Sequence, residues 1–200
     1  MTQQISPSHR DIPSNTIELE QEPASLAAAE ERLYEVIDGE RRELEPMGAF
    51  ETALAWVLSY HLGHFALQQK LELVVTETLF VLDAQRNLRR RPDVAFVSYP
   101  RWRDDQVPRA EAWDVVPDLA VEVISPTNRA EEIDDKITDY FAAGVRLVWV
   151  LFPVSGRFYV YQSPERVTGL ERSDELDGGD VLPGFRLAVA TLFEAVRKPE

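Results

Sequence analysis

Residues 119–124 read Leu-Ala-Val-Glu-Val-Ile, an almost wholly apolar run with one acid inside it. A short run of this kind suggests a central strand buried on both faces, so other elements must cover the sheet on each side. A sheet clad on both sides belongs to the α/β class, with helices on its faces. The embedded acid adds a second constraint. A carboxylate inside such a strand is costly unless it is paired, protonated or bound to a metal. Strand alternation places Glu122 on the same face as Ala120 and Ile124.

The rest of the chain supplies elements of the kinds such a sheet needs. Tyr34 to Leu44 reads as a hairpin around the turn dipeptide Asp38-Gly39. Phe50, Ala53, Leu54, Val57, Tyr60, His61, His64 and Phe65 recur at three- and four-residue steps and predict an amphipathic helix from Phe50 to about Lys70. Extended segments follow at 71–75, 79–82 and 94–97, before the LAVEVI run. A second helix is expected from about Arg129 to Ala143, stopped by Gly144. Leu147–Phe152 and Arg157–Gln162 flank the turn Pro153-Val154-Ser155-Gly156, residues 163–186 are turn-rich with short extended pieces, and Thr191 to Arg197 predicts a closing helix. Residues 1–23 are polar and acidic with three prolines, a composition that buries too little apolar surface to offset its ordering entropy. They read as a flexible acidic tail; Ser25 opens a short helix, and residues 24–197 form one domain.

Composition narrows the function classes. With 35 acids against 21 Lys and Arg in 200 residues, the formal net charge is −14. That disfavours a general nucleic-acid coat, which depends on clustered Lys and Arg, but leaves room for a local cleft. The absence of Cys excludes disulfides, thiolate zinc sites and Cys nucleophiles. No apolar run is long enough to span a bilayer, and MTQQISPSHR lacks a signal-peptide core, so a cytoplasmic location is the expectation.

Three features bear on chemistry: Pro92-Asp93 entering an apolar strand after Arg89-Arg90-Arg91, Glu122, and Lys136 on the following helix. Two carboxylates at strand ends with a lysine suit Mg²⁺, which prefers hard oxygen ligands and is often held by one or two carboxylates plus a substrate phosphate. RRPDVAFV followed by PDLAVEVISPTNRAEEIDDKITDYFAAGVRLVWVLFP resembles the Uma-type restriction endonuclease family of the PD-(D/E)XK nuclease superfamily. YEVIDGERRELEPMG upstream and VLPGFRLAVATLF downstream extend the resemblance to about residues 30–195.

The resemblance implies a restriction-endonuclease-like fold, a mixed central β-sheet flanked by helices, and Mg²⁺- or Mn²⁺-dependent hydrolysis of DNA phosphodiesters. It aligns Asp93 with the first motif aspartate and Glu122 with the second acid, which makes them the implied metal ligands. The superfamily lysine should stand two residues after that acid, where this chain has Ile124; Lys136 on the next helix takes its place. An accessory acid from the first core helix is assigned to Glu51, with Glu35 as second choice. Superfamily members often pair, so a homodimer is expected.

Plainer readings stand beside these. Lys136 has Glu132 one turn away as an ordinary helix partner. Asp118 and Ser125 read as turn or cap residues, His61 and His64 as core-edge residues, and the four Trp as packing. Arg86, Arg89, Arg90 and Arg91 either steer phosphate or form a solvated loop. The displaced lysine and acidic balance favour the alternative function, a catalytically inactive nuclease-like module that binds a protein or nucleic-acid partner.

Overall fold

The computed structural model describes residues 32–102 and 106–198. The acidic tail, its His9, and Ser25 with the helix it opens lie outside the described residues. The chain starts with the expected hairpin, β1 (Tyr34–Ile37) and β2 (Glu40–Glu43). Asp38 and Gly39 between them have φ of +50° and +86°, the left-handed pair that a two-residue turn of this hand requires. Helix α1 (Ala49–Gln69) follows, then β3 (Glu72–Thr76), β4 (Leu79–Asp83), β5 (Leu88–Arg90), β6 (Val94–Ser98) and β7 (Ala112–Trp113). Next come β8 (Leu119–Val123), α2 (Ala130–Ala143) and β9 (Leu147–Phe152). The chain closes through β10 (Arg157–Ser163), β11 (Arg166–Leu170), β12 (Glu175–Asp177), β13 (Arg186–Ala188) and α3 (Val189–Ala195).

The main sheet has the order β11-β10-β9-β8-β6-β3, and a second sheet the order β2-β1-β5-β4-β7. Within the main sheet only β8 and β9 run parallel, joined by the crossover helix α2. β8, the LAVEVI strand, is therefore central and buried at all five positions. Strand alternation divides its surroundings into two layers. Leu119, Val121 and Val123 join Phe96 and Trp149 against α1 and α3. Ala120 joins Ala95, Val97, Val148 and Val150 on the other face, against Ile137 and Tyr140 of α2 and Phe80 and Leu88 of the second sheet. This mixed α/β arrangement is a restriction-endonuclease-like fold. Among the described residues, no helix is long and apolar enough to cross a membrane.

Asp118 does more than cap a turn. Buried at the head of β8, it accepts hydrogen bonds from the Ser98 amide at 2.9 Å, Arg101 Nε at 3.2 Å and Arg146 Nη1 at 3.4 Å. Ser125 does sit in a strand-end turn, its amide donating to Asn128 Oδ1 at 2.8 Å. The structure also differs from the periodicity of α1. Leu54, Leu58, Leu62 and Ala66 face the core, whereas Phe50, Tyr60 and His64 are exposed. Apolar residues occur all round this helix, so their spacing alone does not select the inward face.

Candidate active site

Glu122 points to the α2 face of the sheet, as strand alternation requires. α2 presents Lys136 and Tyr140 there, four residues apart and so on one side of the helix. Lys136 Nζ donates to Glu122 Oε2 at 2.8 Å, and the Tyr140 hydroxyl donates to Oε1 at 2.6 Å. Both carboxylate oxygens are thus oriented from the helix. Glu132, the plainer partner for Lys136, instead accepts a hydrogen bond from the Arg129 amide at 3.2 Å, closing the first turn of α2.

Asp93 stands beside Glu122. The β6–β8 register pairs Val94 with Val121, and one step further along places Asp93 opposite Glu122. Its Oδ2 accepts the Val123 amide at 2.6 Å. Asp93 shares the strand face of Ala95, the face that meets α2. The structure therefore brings Asp93, Glu122 and Lys136 together, on three different elements.

Glu51 is not among them. It is buried in the first turn of α1, where one carboxylate oxygen sits so close to Gly48 that a Cβ there would lie 2.4 Å from it. Its helix packs on the opposite face of the sheet, against Val121 and Val123. The acid that joins the cluster is the second choice, Glu35, and it comes from strand β1 rather than from a helix. Glu35 Oε1 lies 3.3 Å from Lys136 Nζ and accepts the Arg91 amide at 2.9 Å, while Oε2 accepts Arg90 Nη1 at 2.8 Å. A hairpin strand outcompetes the helix because the second sheet packs directly on the α2 face.

Two more residues complete the network. Arg90, itself buried, donates through Nε to Asp139 Oδ2 at 2.9 Å and so ties Glu35 to α2. The basic run of residues 86–91 is therefore largely structural. Arg86 pairs with Asp38 at 2.9 Å, and Arg91 donates to the carbonyls of Tyr34 and Glu77. The sequence signal for this role was weak, because a run of arginines looks the same whether solvated or buried. Tyr140 and Asp139 were legible only as neighbours of Lys136 on one helix face.

The electrostatics follow from burial and neighbours. Burial pushes the Glu122 carboxyl above its ordinary range, and Glu35 adds to that while Lys136 and the Tyr140 hydroxyl oppose it. Burial and the charge of Glu122 push Asp93 from 3.8 to about 7, against the Val123 amide and Lys136. Glu35 is also buried, yet Lys136 and Arg90 outweigh that and hold its carboxyl below the usual range. Burial disfavours the charged Lys136, but Glu122 and Glu35 overcome it and raise its pKa, so the ammonium stays protonated. Burial is the first cause of both raised carboxyls, and perturbed groups clustered in this way mark a candidate functional site.

A cavity of about 210 Å³ opens on this cluster, lined by Glu35, Glu122 and Lys136 and by Arg42, Ile124 and Asn128 among others. Among the described residues, no three His, Cys, Asp or Glu side chains form a ready cation cage. The donor set is two adjacent carboxylates, hard oxygen ligands of the kind Mg²⁺ takes while keeping water and phosphate as its other ligands.

No curated protein matches the chain. Its fold is similar to the crystal structure of "a putative nuclease belonging to DUF820 from Anabaena variabilis ATCC 29413", with a TM-score of 0.72 at 15% identity over 81% of this chain and 90% of that one. Residues 19–190 match the sequence pattern of Uma2, described as "Putative restriction endonuclease", and the chain belongs to that family.

Proposed function

We propose that the protein is an endonuclease that hydrolyses DNA phosphodiester bonds with Mg²⁺ or Mn²⁺ held by Asp93 and Glu122. The observation that carries this reading is the 2.8 Å contact between Lys136 Nζ and Glu122 Oε2, with Asp93 beside Glu122 across the strand pair. It supplies, from a helix, the cation that Ile124 does not provide from the strand. A divalent ion bound there contributes Lewis-acid stabilisation of charge on the phosphate.

The protein's own residues have separable tasks. Glu122 is fixed by two donors, so its position costs no reorganisation when substrate arrives. Lys136, anchored by Glu35 and Glu122, orients the attacking water and offsets charge developing on the phosphate oxygens. Tyr140 holds the carboxylate plane, and Arg90 holds Glu35, so both act through their neighbours.

The test is nicking of supercoiled plasmid with Mg²⁺ or Mn²⁺ by wild type, Asp93→Ala, Glu122→Ala and Lys136→Met. Cleavage by wild type alone supports the assignment. Equal nicking by all four marks a contaminating nuclease, and no cleavage with either metal favours the inactive binding module.

A further inference from the structure

A second cavity, of about 320 Å³, lies between α2 and strands β9 and β10. Ile124, Asn128 and Ile133 line both it and the cavity of the candidate site, so the two adjoin at the end of β8. Phe152, the last residue of β9, and Tyr161 of β10 supply half-buried rings. Phe152 is held edge-on to Tyr159 at 5.4 Å, so its ring is positioned before anything binds. Two exposed polar side chains join them. Asn128 Oδ1 is occupied by the Ser125 amide at 2.8 Å and hydroxyl at 3.0 Å, which leaves its Nδ2 as a donor. Asp134 is the one charged residue among the described residues that line the cavity.

We propose that this cavity takes a base of an unpaired DNA strand whose backbone lies at Asp93 and Glu122, so that the substrate is single-stranded or locally opened DNA. The proposal rests on the nuclease reading. The lining selects the part of a nucleotide that fits. A phosphate would meet a carboxylate and no cation, and the hydroxyls of a sugar would face mostly hydrocarbon. A base offers flat faces to Phe152 and Tyr161 and an edge of acceptors and donors to Asn128 and Asp134. Size agrees. A cavity of about 150 Å³ holds benzene, and twice that volume has room for two fused rings. Position agrees as well, because the three shared residues set the cavity beside the reacting phosphate. A paired base is stacked within the duplex and reaches such a pocket only when the strand is open. Stacking on aromatic rings also supplies affinity that needs no basic surface, at a site whose neighbouring arginines are held by protein partners.

Fluorescence anisotropy with Ca²⁺ in place of Mg²⁺ compares three labelled probes of one length. They are a mixed-sequence single strand, the same strand paired with its complement, and an abasic strand that carries the same phosphates without bases. Wild type is expected to bind the base-bearing single strand roughly 5- to 100-fold tighter than the abasic one, and tighter than the duplex. Phe152→Ala and Tyr161→Ala should lose most of that preference, and Tyr161→Phe, which keeps the ring, should retain it. The abasic comparison needs only wild type, so it decides the matter if the alanine variants fail to fold. Plasmid nicking should slow once the plasmid is relaxed, because negative supercoiling favours local opening. Duplex bound as tightly as the single strand, an abasic strand bound equally well, or a Tyr161→Ala protein with its base preference intact overturns the proposal and leaves the nuclease reading standing. No nicking with either metal removes the nuclease reading, and the proposed substrate with it, whatever the probes bind.

Discussion

Asp93→Asn is expected to stabilise the protein and to abolish its proposed activity, with the stabilisation growing as pH rises. Asp93 ionises near 3.8 in an unfolded chain and at about 7 in the folded one. Between those values the folded state binds more protons than the unfolded state, so stability falls as pH rises through this window and levels off above it. The shift is about 3 units at ~1.4 kcal/mol each, or roughly 4 kcal/mol for the fully ionised group. The part lost between about pH 5 and about pH 8 is roughly 2–3 kcal/mol. Asparagine keeps the shape and can still accept the Val123 amide, but it cannot ionise. Its stability advantage over wild type should therefore grow by that amount across the interval, equivalent to about 5–10 °C in Tm for a domain of this size. Urea denaturation of both proteins in EDTA at the two pH values measures it. A stability gap independent of pH, or an Asp93→Asn protein less stable than wild type at about pH 8, refutes the reasoning. Mg²⁺ gives an independent arm. At about 100 times its Kd the ion should stabilise wild type by ~2.7 kcal/mol and leave Asp93→Asn unmoved.

Other substitutions probe the rest of the network. Arg90→Leu removes the buried guanidinium that Glu35 and Asp139 share, leaving Lys136 and the Arg91 amide on one and Arg86 on the other, and should cost about 3 kcal/mol in urea denaturation; Arg90→Lys should recover little, because an ammonium cannot reproduce the planar fork. Tyr140→Phe removes a donor that lowers the Glu122 pKa. It should cost about 1–3 kcal/mol of stability and move the acid limb of the plasmid-nicking pH profile upward, whereas a purely structural role would leave that limb in place. Lys136→Met should abolish nicking, and adding Ile124→Lys to it should restore a measurable part, since Ile124 lines the same cavity. A double variant as inactive as Lys136→Met would show that the lysine must approach from α2.

The parts of this fold legible in the sequence are those decided locally. LAVEVI became the central strand because an apolar run of strand length has few other stable environments. Asp38-Gly39 set its hairpin because few other dipeptides accept two positive φ values. Gly144, with φ of +99°, ended α2 for a related reason. The strands left without bounds carry no apolar pattern of their own. β5, Leu-Arg-Arg, carries no apolar alternation and pairs with β1 and β4, with Arg90 paired to acids at 35 and 139. β11 lies at a sheet edge with four of its five residues exposed, so neither face imprints a pattern. The candidate site divides along the same line. Asp93, Glu122 and Lys136 could be named from their sequence contexts and the family resemblance, but the preference for Glu35 over Glu51 could not. It depends on how the second sheet meets α2, a packing of surfaces that no local spacing encodes.

That packing also bears on the acidity of the chain. The densest basic run lies next to Asp93, where a phosphate-steering cluster would be useful, yet its arginines are mostly committed to protein partners. Arg90 is enclosed by Glu35 and Asp139, Arg86 is held by Asp38, and Arg91 is spent on two backbone carbonyls. Arg42 lines the mouth of the cavity as an exposed side chain. Affinity for nucleic acid scales with the number of phosphates that cations neutralise, and few cations border this site. Burial holds two of its carboxylates above their usual ionisation range, and a divalent ion would return them to the charged form. The raised Asp93, the fixed Glu122 and the shortage of basic surface belong to one buried cluster, and the proposed metal ion at Asp93 and Glu122 would serve all three without a basic groove.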